Sequence, residues 1–206
     1  MRAIRALRYN LEHGGVGVVL RKVAGRLVAL FYRAEAWLLF EMDLESPAAP
    51  ELAPGTELRT MTMEDLLLHH FFKAVHYPDD LRARFADGDL CLGIFMDGSL
   101  AHVAWMASHR LPLDPGLPVF AAAGAAGIYD MFTLPGFRRR GCQALALREI
   151  LRRAEARGLT RAVAVVHPAN RPSISAFEKC GFRAPRRLEY RRTLWRSHLT
   201  LVPLDA

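Results

Sequence analysis

Apolar residues recur at helical spacing in the third quarter of the chain. Leu147, Ile150, Leu151 and Ala154 fall at i, i+3, i+4 and i+7, which places them on one face of a helix. Charged residues fill the other positions, namely Arg148, Glu149, Arg152, Arg153, Glu155 and Arg157. The pattern predicts an amphipathic helix over residues 139–157.

Runs rich in aromatic and β-branched residues predict strands on both sides of this helix. Asp97-Gly98 lies between two such runs and is typical of a tight hairpin turn. The predicted strands cover residues 37–42, 57–61, 90–96, 100–109, 127–133 and 161–167, with a last pair within 183–201.

Further helices are predicted from their start signals. Thr62, with Glu64 and Asp65 in the first turn, predicts one helix start, and the segment 77–80 predicts a second. A later helix is expected over residues 172–180, and proline-rich stretches at 46–50 and 110–118 indicate a linker and a loop. Mixed helices and strands of this kind predict an α/β or α+β fold, with a sheet flanked by helices.

The segment 16–33 predicts an additional basic amphipathic helix near the start of the chain. Its apolar residues share one helical face, whereas Arg21, Lys22, Arg26 and Arg33 lie largely on the other. Such a helix can dock on the domain, lie in an anionic membrane interface, or form a homodimer contact. We therefore divide the chain into an N-terminal extension with a strand, residues 1–50, and a main domain, residues 51–206.

Composition limits the classes of partner and compartment. The chain has 206 residues, 51% of them hydrophobic, and a net charge of +7, which favours anionic partners such as a nucleotide cofactor or an acidic lipid surface. No nucleic-acid-binding signature accompanies the arginines, so we expect no nucleic-acid partner. The three cysteines have no metal-type spacing, so we expect neither metal nor disulfide. A cytoplasmic protein, with peripheral membrane association as an alternative, fits these features, and no secretory signal is expected.

The segment 134–144, with the sequence LPGFRRRGCQA, connects the predicted strand at 127–133 to the amphipathic helix. The first N–H groups of a helix have no partner within it, so they can converge on an anion. The three consecutive arginines add positive charge at the same place. The segment therefore predicts a phosphate cradle, for which a pyrophosphate is the natural ligand.

These residues resemble the pyrophosphate-binding motif of the GNAT superfamily of acyl-CoA N-acyltransferases. That motif is roughly Val-x-Pro-x-x-Arg/Gln-x-x-Gly-x-Gly/Ala, and Thr133, Pro135, Arg138 and Gly141 stand in register with it. A second segment, residues 165–182, is similar to the family's later strand, Asn-headed helix and closing Gly-Phe pair. The resemblance covers about residues 56–195 and is weak or absent over the first 50.

The resemblance implies a GNAT-like mixed central sheet and acetyl-CoA or another acyl-CoA as co-substrate. It assigns the pantetheine arm and thioester to backbone groups of one strand end and the pyrophosphate to the cradle, and it adds a polar pair from the later helix. The implied CoA-binding residues are Met131, Phe132, Thr133, Arg138, Arg139, Arg140, Gly141, Cys142, Gln143, Ala144, Asn170 and Ser173. Asn170 also suits a helix cap, and the two roles are compatible.

Two positions depart from the family pattern. Gln143 stands where the family usually has a small residue, and it leaves room for the pyrophosphate only if its side chain points away. Phe177 stands four residues before the Gly-Phe pair, where many members carry a tyrosine that protonates the departing thiolate. Phenylalanine cannot donate a proton, so that role is vacant or filled by another residue.

Three residues are candidates for moving protons. Asp130 is a candidate base or amine anchor, with a structural hydrogen bond as the alternative, and Tyr129 is a candidate acid or a core aromatic residue. These neighbours face opposite sides of a regular strand. His167 ends a strand just before Asn170, and it suits proton shuttling near neutral pH or a purely structural place in a loop.

The resemblance implies an N-acyltransferase, with acetyl as the expected acyl group, acting on an amine of an unidentified small molecule or peptide. One alternative takes the acyl group from an acyl carrier protein, whose acidic surface would suit the arginines. Another is a catalytically silent module that binds CoA or a membrane, which Phe177 keeps open.

Overall fold

A computed structural model describes residues 32–45, 49–68, 78–113, 117, 119–193 and 196–204. The chain divides into two compact units, one of residues 37–187 with 203–206 and one of residues 1–36 with 188–202. Most of the helix predicted at 16–33 lies outside the described residues. Its last two residues were assigned wrongly, because Tyr32 begins a strand.

Within the described residues, eight strands and four α-helices follow one another in mixed order. The helices are α1 (Met63–Leu68), α2 (Pro78–Ala86), α3 (Cys142–Ala156) and α4 (Arg171–Lys179). The strands are β1 (Tyr32–Asp43), β2 (Thr56–Thr60), β3 (Leu90–Met96), β4 (Ser99–Leu111), β5 (Phe120–Thr133), β6 (Arg161–Val166), β7 (Arg183–Thr193) and β8 (Arg196–Pro203). A 3-10 turn, Pro135–Phe137, stands between β5 and α3.

The strands form one sheet in the order β2-β3-β4-β5-β6-β1-β7-β8. The pairs β2/β3, β3/β4, β4/β5 and β1/β6 are antiparallel, whereas β5 and β6 run parallel. This is the predicted mixed α+β fold, with a mostly antiparallel central sheet and flanking helices. The strand predicted at 37–42 is part of that sheet, since Leu38 to Asp43 pair with β6.

Local sequence signals explain the start of one helix and the turn of one hairpin. Thr62 and Asp65 cap α1 reciprocally: the Asp65 N–H donates to Thr62 Oγ1 at 3.2 Å, and the Thr62 N–H donates to Asp65 Oδ2 at 2.8 Å. Asp97 and Gly98 join β3 to β4 with φ of 50° and 75°, as a type I′ hairpin turn requires. The helix start and the hairpin turn were both predicted from the sequence.

The main core lies between the sheet and the helices α3 and α4. Leu147, Ile150, Leu151 and Ala154 are all buried in it, which confirms the predicted apolar face of α3. On the sheet side, an added Cβ at Gly127 would collide with the carbonyl oxygen of Arg110. The close approach of β4 and β5 at that point therefore depends on glycine.

Among the predicted boundaries that differ from the structure are the starts of α3 and β5. The helix predicted from residue 139 begins at Cys142, because Arg139 and Gly141 have positive φ values of 63° and 78° that a helix does not allow. The strand predicted from 127 begins at Phe120. Its Ala/Gly-rich first half has little intrinsic strand preference and is held as a strand by pairing with β4.

The described residues of the smaller unit are 32–36, 188–193 and 196–202. Leu188 and Tyr190 of β7 are buried in the structure. Arg191 Nη2 and Glu189 Oε2 form an ion pair at 3.1 Å, so charged residues alternate with buried ones along this strand.

Candidate active site

The predicted phosphate cradle lies between the end of β5 and the start of α3. The first intrahelical hydrogen bond of α3 runs from the Leu145 N–H to the Gly141 oxygen at 3.0 Å, so the preceding N–H groups point away from the helix. Left-handed backbone at Arg139 and Gly141 alternates with other conformations, and such alternation turns successive N–H groups into an anion-binding concavity.

Space and charge in the cradle suit an anion. An added Cβ at Gly141 would meet no atom within 4 Å, which indicates open space in front of the helix. Arg138, Arg139 and Arg140 are all exposed. Arg138 Nε donates to the Thr133 oxygen at 3.4 Å, and the Arg140 guanidinium lies 5.4 Å from the centre of the Phe137 ring.

The side chains of Cys142 and Gln143 both form hydrogen bonds within the protein. The Cys142 thiol is buried and donates to the Phe137 oxygen at 3.6 Å, and burial raises its pKa. Gln143 Nε2 donates to Ser173 Oγ at 3.0 Å. These two residues, with the half-buried Ala144, can offer their backbone N–H groups to an anion.

Asn170 and Ser173 form the start of α4, opposite Gln143. The Ser173 N–H donates to Asn170 Oδ1 at 3.3 Å, which confirms Asn170 as the helix cap. The Gln143–Ser173 hydrogen bond then links the starts of α3 and α4 directly. The structure therefore brings these predicted residues together beside the cradle.

The strands β5 and β6 separate next to the cradle. Their parallel pairing runs from Ala125 with Arg161 to Ile128 with Ala164, whereas β5 continues to Thr133 and β6 to Val166. Met131, Phe132 and Thr133 lie beyond the last pair. The strands β5 and β6 therefore diverge along these three residues.

A bulge interrupts β5 where the two strands separate. Trp105 pairs with Tyr129 and Val103 pairs with Phe132, so two residues of β5, Asp130 and Met131, stand opposite one of β4. Asp130 has φ of 44° and is exposed. The bulge sends the Asp130 side chain out of the regular alternation that the sequence predicts.

Arg84 of α2 holds this carboxylate. Its Nη2 donates to Asp130 Oδ2 at 2.5 Å, and its guanidinium lies 5.0 Å from the ring centres of both Trp105 and Tyr129. Cation–π contacts of this kind stabilise a partly desolvated guanidinium. Asp130 therefore lies at the edge of an aromatic cluster, with a fixed cationic partner.

Tyr129 is buried and bonded to a carboxylate. Its hydroxyl donates to Asp89 Oδ2 at 2.5 Å, and Arg110 Nη2 donates to Asp89 Oδ1 at 2.6 Å. Burial, followed by the bond to Asp89, raises the pKa of Tyr129. Burial also raises the pKa of Asp89, although the bonds from Tyr129 and Arg110 oppose that shift.

His167 is exposed just after β6, at the side of the sheet where β5 and β6 have separated. Its Nδ1 accepts from the Ala169 N–H at 3.1 Å, so the neutral ring carries its proton on Nε2. The bond fixes the ring against the loop that leads to α4.

The family assignment follows from a sequence comparison that covers the cradle, the bulge and the α4 region. The model of the Acetyltransferase (GNAT) family matches residues 57–182. This chain belongs to the GNAT family. No curated protein matches it in sequence.

Solved structures share the GNAT fold at low sequence identity. A Drosophila protein matches with TM-score 0.60 and 18% identity over 86% of this chain and 58% of its own. A GCN5-related N-acetyltransferase from Kribbella flavida matches with TM-score 0.55 and 19% identity over 86% of this chain and 63% of its own. The Escherichia coli ribosomal-protein-S18-alanine N-acetyltransferase matches with TM-score 0.50 and 15% identity over 62% of this chain and 77% of its own.

This GNAT chain spans 58% and 63% of the lengths of the first two of these structures. At sequence identities below 20%, the structural similarity establishes the fold alone. It leaves the substrate open, because one fold can serve many substrates.

Phe177 is a core residue in this GNAT protein. Its side chain is buried, with ring centres 5.4 Å from Phe40 and 5.0 Å from Phe182. It has no polar atom to offer as a proton donor.

The sequence reasoning missed Arg84 and Asp89, which contact the predicted residues Asp130 and Tyr129. The chain separations are 46 and 40 residues, so no local pattern indicates these contacts. Arg84 reaches β5 because α2 packs near Trp105 and Tyr129, and Asp89 reaches it because β3, which follows Asp89, pairs with β4 beside β5.

Proposed function

We propose that the protein transfers an acyl group, with acetyl as the expected one, from acyl-CoA to an amine of a small molecule or peptide. The observation that carries the proposal is the open start of α3 beside the diverging strands β5 and β6. An extended ligand with a pyrophosphate at one end can bind the cradle and continue along the end of β5, beyond its last pair with β6.

The residues of the cradle fit the pyrophosphate of CoA. Backbone N–H groups and three arginines supply hydrogen bonds and charge. Gly141 leaves the approach open, and the side chain of Gln143 is hydrogen-bonded to Ser173. When bound, acyl-CoA supplies the activated acyl group, and this chain orients it through Met131, Phe132 and Thr133.

Acyl transfer to an amine also requires that the amine lose a proton and that the thiolate gain one. Asp130 suits the first requirement, because an exposed carboxylate at the strand separation can anchor an ammonium group or accept its proton. The Arg84 contact keeps that carboxylate in one orientation.

Two candidates are available for the proton that returns to the thiolate. The Tyr129 hydroxyl would have to give up its bond to Asp89 before donating elsewhere. His167 is exposed and carries its proton on Nε2, so it can exchange with solvent more readily. We therefore favour His167, with water as relay, over Tyr129.

A thiol-release assay tests the proposal. Acyl-CoA donors of increasing chain length, and an acylated carrier protein, would be incubated with a panel of small amines and amino-terminal peptides. We expect amine-dependent release of free CoA. If calorimetry shows CoA binding but no amine is acylated, the result would instead support the catalytically silent module. If a thiol is released only from the acylated carrier protein, that protein would be the acyl donor.

A further inference from the structure

The side chains of His102 and Thr133 meet at the end of β5. The two residues are Cα partners across β4 and β5, and His102 Nδ1 lies 2.7 Å from Thr133 Oγ1. His102 is 1% exposed. It lies on the same strand face as Ala104 and Met106, which belong to the core cluster that includes α3.

The protonation state of His102 decides the direction of this hydrogen bond. Burial lowers the pKa of His102 to about 3, so near neutral pH the ring carries one proton, on either Nδ1 or Nε2. Nε2 is buried and has no hydrogen-bond partner in the described part of the chain.

A proton on Nε2 would therefore leave a buried donor unpaired, whereas a proton on Nδ1 would leave only an unpaired acceptor. Among buried backbone groups of folded proteins, N–H donors without a partner are rarer than carbonyl acceptors without one. Because an unpaired acceptor is the less costly of these two arrangements, we expect the proton on Nδ1, donated to Thr133 Oγ1.

A hydroxyl that accepts from His102 has its own proton free to donate. The rest of Thr133 is fixed: its carbonyl oxygen accepts from Arg138 Nε at 3.4 Å, and the following Leu134 N–H donates to the Ala101 oxygen at 2.9 Å. Thr133 is half-buried and lies between the cradle and the bulge at Asp130.

We propose that His102 is a positioning residue that directs the hydroxyl proton of Thr133 to a carbonyl oxygen of the pantetheine arm. The inference rests on the proposed function, since it requires CoA at the cradle. It adds a side-chain contact to the backbone contacts expected from β5, at a residue that lies between the cradle and the bulge.

A comparison of two ligands distinguishes the Thr133 contact from binding at the cradle. One is CoA, and the other is its phosphorylated ADP portion, which lacks the pantetheine arm. Thr133→Val should weaken CoA binding about 10-fold, as expected for one lost hydrogen bond, and should leave the ADP portion bound as in the wild type. Thr133→Ser keeps a hydroxyl and should restore CoA affinity.

A double-mutant cycle tests whether His102 acts through Thr133. His102→Leu should weaken CoA binding in the wild-type background and have no effect in the Thr133→Val background. His102→Asn, which keeps a donor near the position of Nδ1, should retain most of the affinity. Equal effects of His102→Leu in both backgrounds would overturn the positioning role.

The tautomer is measured without any ligand, from the nitrogen chemical shifts of labelled histidine in the folded full-length protein. We expect the proton on Nδ1, and a proton on Nε2 would overturn the proposal. Equal weakening of both ligands by Thr133→Val would also overturn it, because the contact would then belong to the cradle. If the wild type binds neither ligand while the tautomer is as expected, the failure lies in the proposed function.

Discussion

Arg84 Nη2 donates to Asp130 Oδ2 at 2.5 Å, which ties α2 to the bulge in β5. The side chain of Arg84 is 18% exposed and that of Asp130 is 40% exposed. Asp130 therefore has a fixed cationic partner and is partly exposed to solvent.

Replacement of Asp130 tests its proposed role toward the amine. Asp130→Asn can keep a hydrogen bond to Arg84 but loses the negative charge and most of the basicity. We expect the acyl-transfer rate to fall on the order of 100-fold, with little change in CoA affinity. Rates with the best amine of the panel and calorimetry with CoA provide the two measurements.

Asp87→Asn is the matched control for that experiment. Asp87 is an exposed carboxylate of the same region, paired with Arg110 at 3.0 Å and not with Arg84. Its replacement should leave the rate near the wild-type value. A wild-type rate and pH profile in Asp130→Asn would remove Asp130 from the mechanism.

Replacement of Gly141 tests the cradle. Gly141→Glu places a negative side chain in the open space before α3, so we expect CoA binding to be lost in calorimetry. Gly158→Glu is the control, since Gly158 also has positive φ, 76°, and open space but follows the other end of α3. Both variants carry the same backbone strain, so wild-type affinity in a folded Gly141→Glu protein would contradict the site.

Buried His102 predicts loss of stability in mild acid. Its folded pKa of about 3 lies below the ordinary 6.5, so the unfolded chain takes up the proton first. The contribution of neutral His102 is complete above about pH 7 and is lost as the pH falls toward 3. Between about pH 7 and about pH 5 the free energy of unfolding should fall by roughly 2 kcal/mol from this group.

Denaturant unfolding across that pH range measures this loss, and His102→Gln should show a shallower pH dependence than the wild type. His198→Gln replaces an exposed histidine and serves as control. A His102 ring that titrates near its ordinary pKa in the folded protein, observed by NMR, would contradict the prediction.

Tyr129→Phe separates a structural role from a catalytic one. The change removes a donor from Asp89, whose side chain is 1% exposed, and leaves that carboxylate with the bond from Arg110. We expect the free energy of unfolding to fall by about 1 to 3 kcal/mol. A rate loss much larger than the change in folded fraction would instead favour a catalytic Tyr129.

The segment 16–33, whose last two residues belong to β1, is still a candidate contact with anionic membranes, beside docking on the domain and a homodimer contact. Its apolar stripe and arginines are the two contributions that such binding requires. The full chain should sediment with vesicles that contain anionic lipid, less so at high salt, and not with neutral vesicles. Equal sedimentation with both kinds, or with neither, would leave docking on the domain. No helix among the described residues is long and apolar enough to span a bilayer.

The sequence by itself determined the family and most of the elements, and it predicted the cradle. The periodic face of α3, the cap at Thr62, the turn at Asp97-Gly98 and the Asn170 helix start are local features. Each depends on residues within one or two turns of chain, so pattern and side-chain chemistry suffice to predict them.

Only the tertiary structure decided which groups surround the candidate residues. Strand alternation cannot foresee the bulge at Asp130, because a bulge depends on how β4 and β5 pair. The contacts Arg84–Asp130, Asp89–Tyr129 and His102–Thr133 join residues 46, 40 and 31 positions apart. Their chemistry follows from burial and from neighbours on other elements, and the packing of the sheet against its helices sets both.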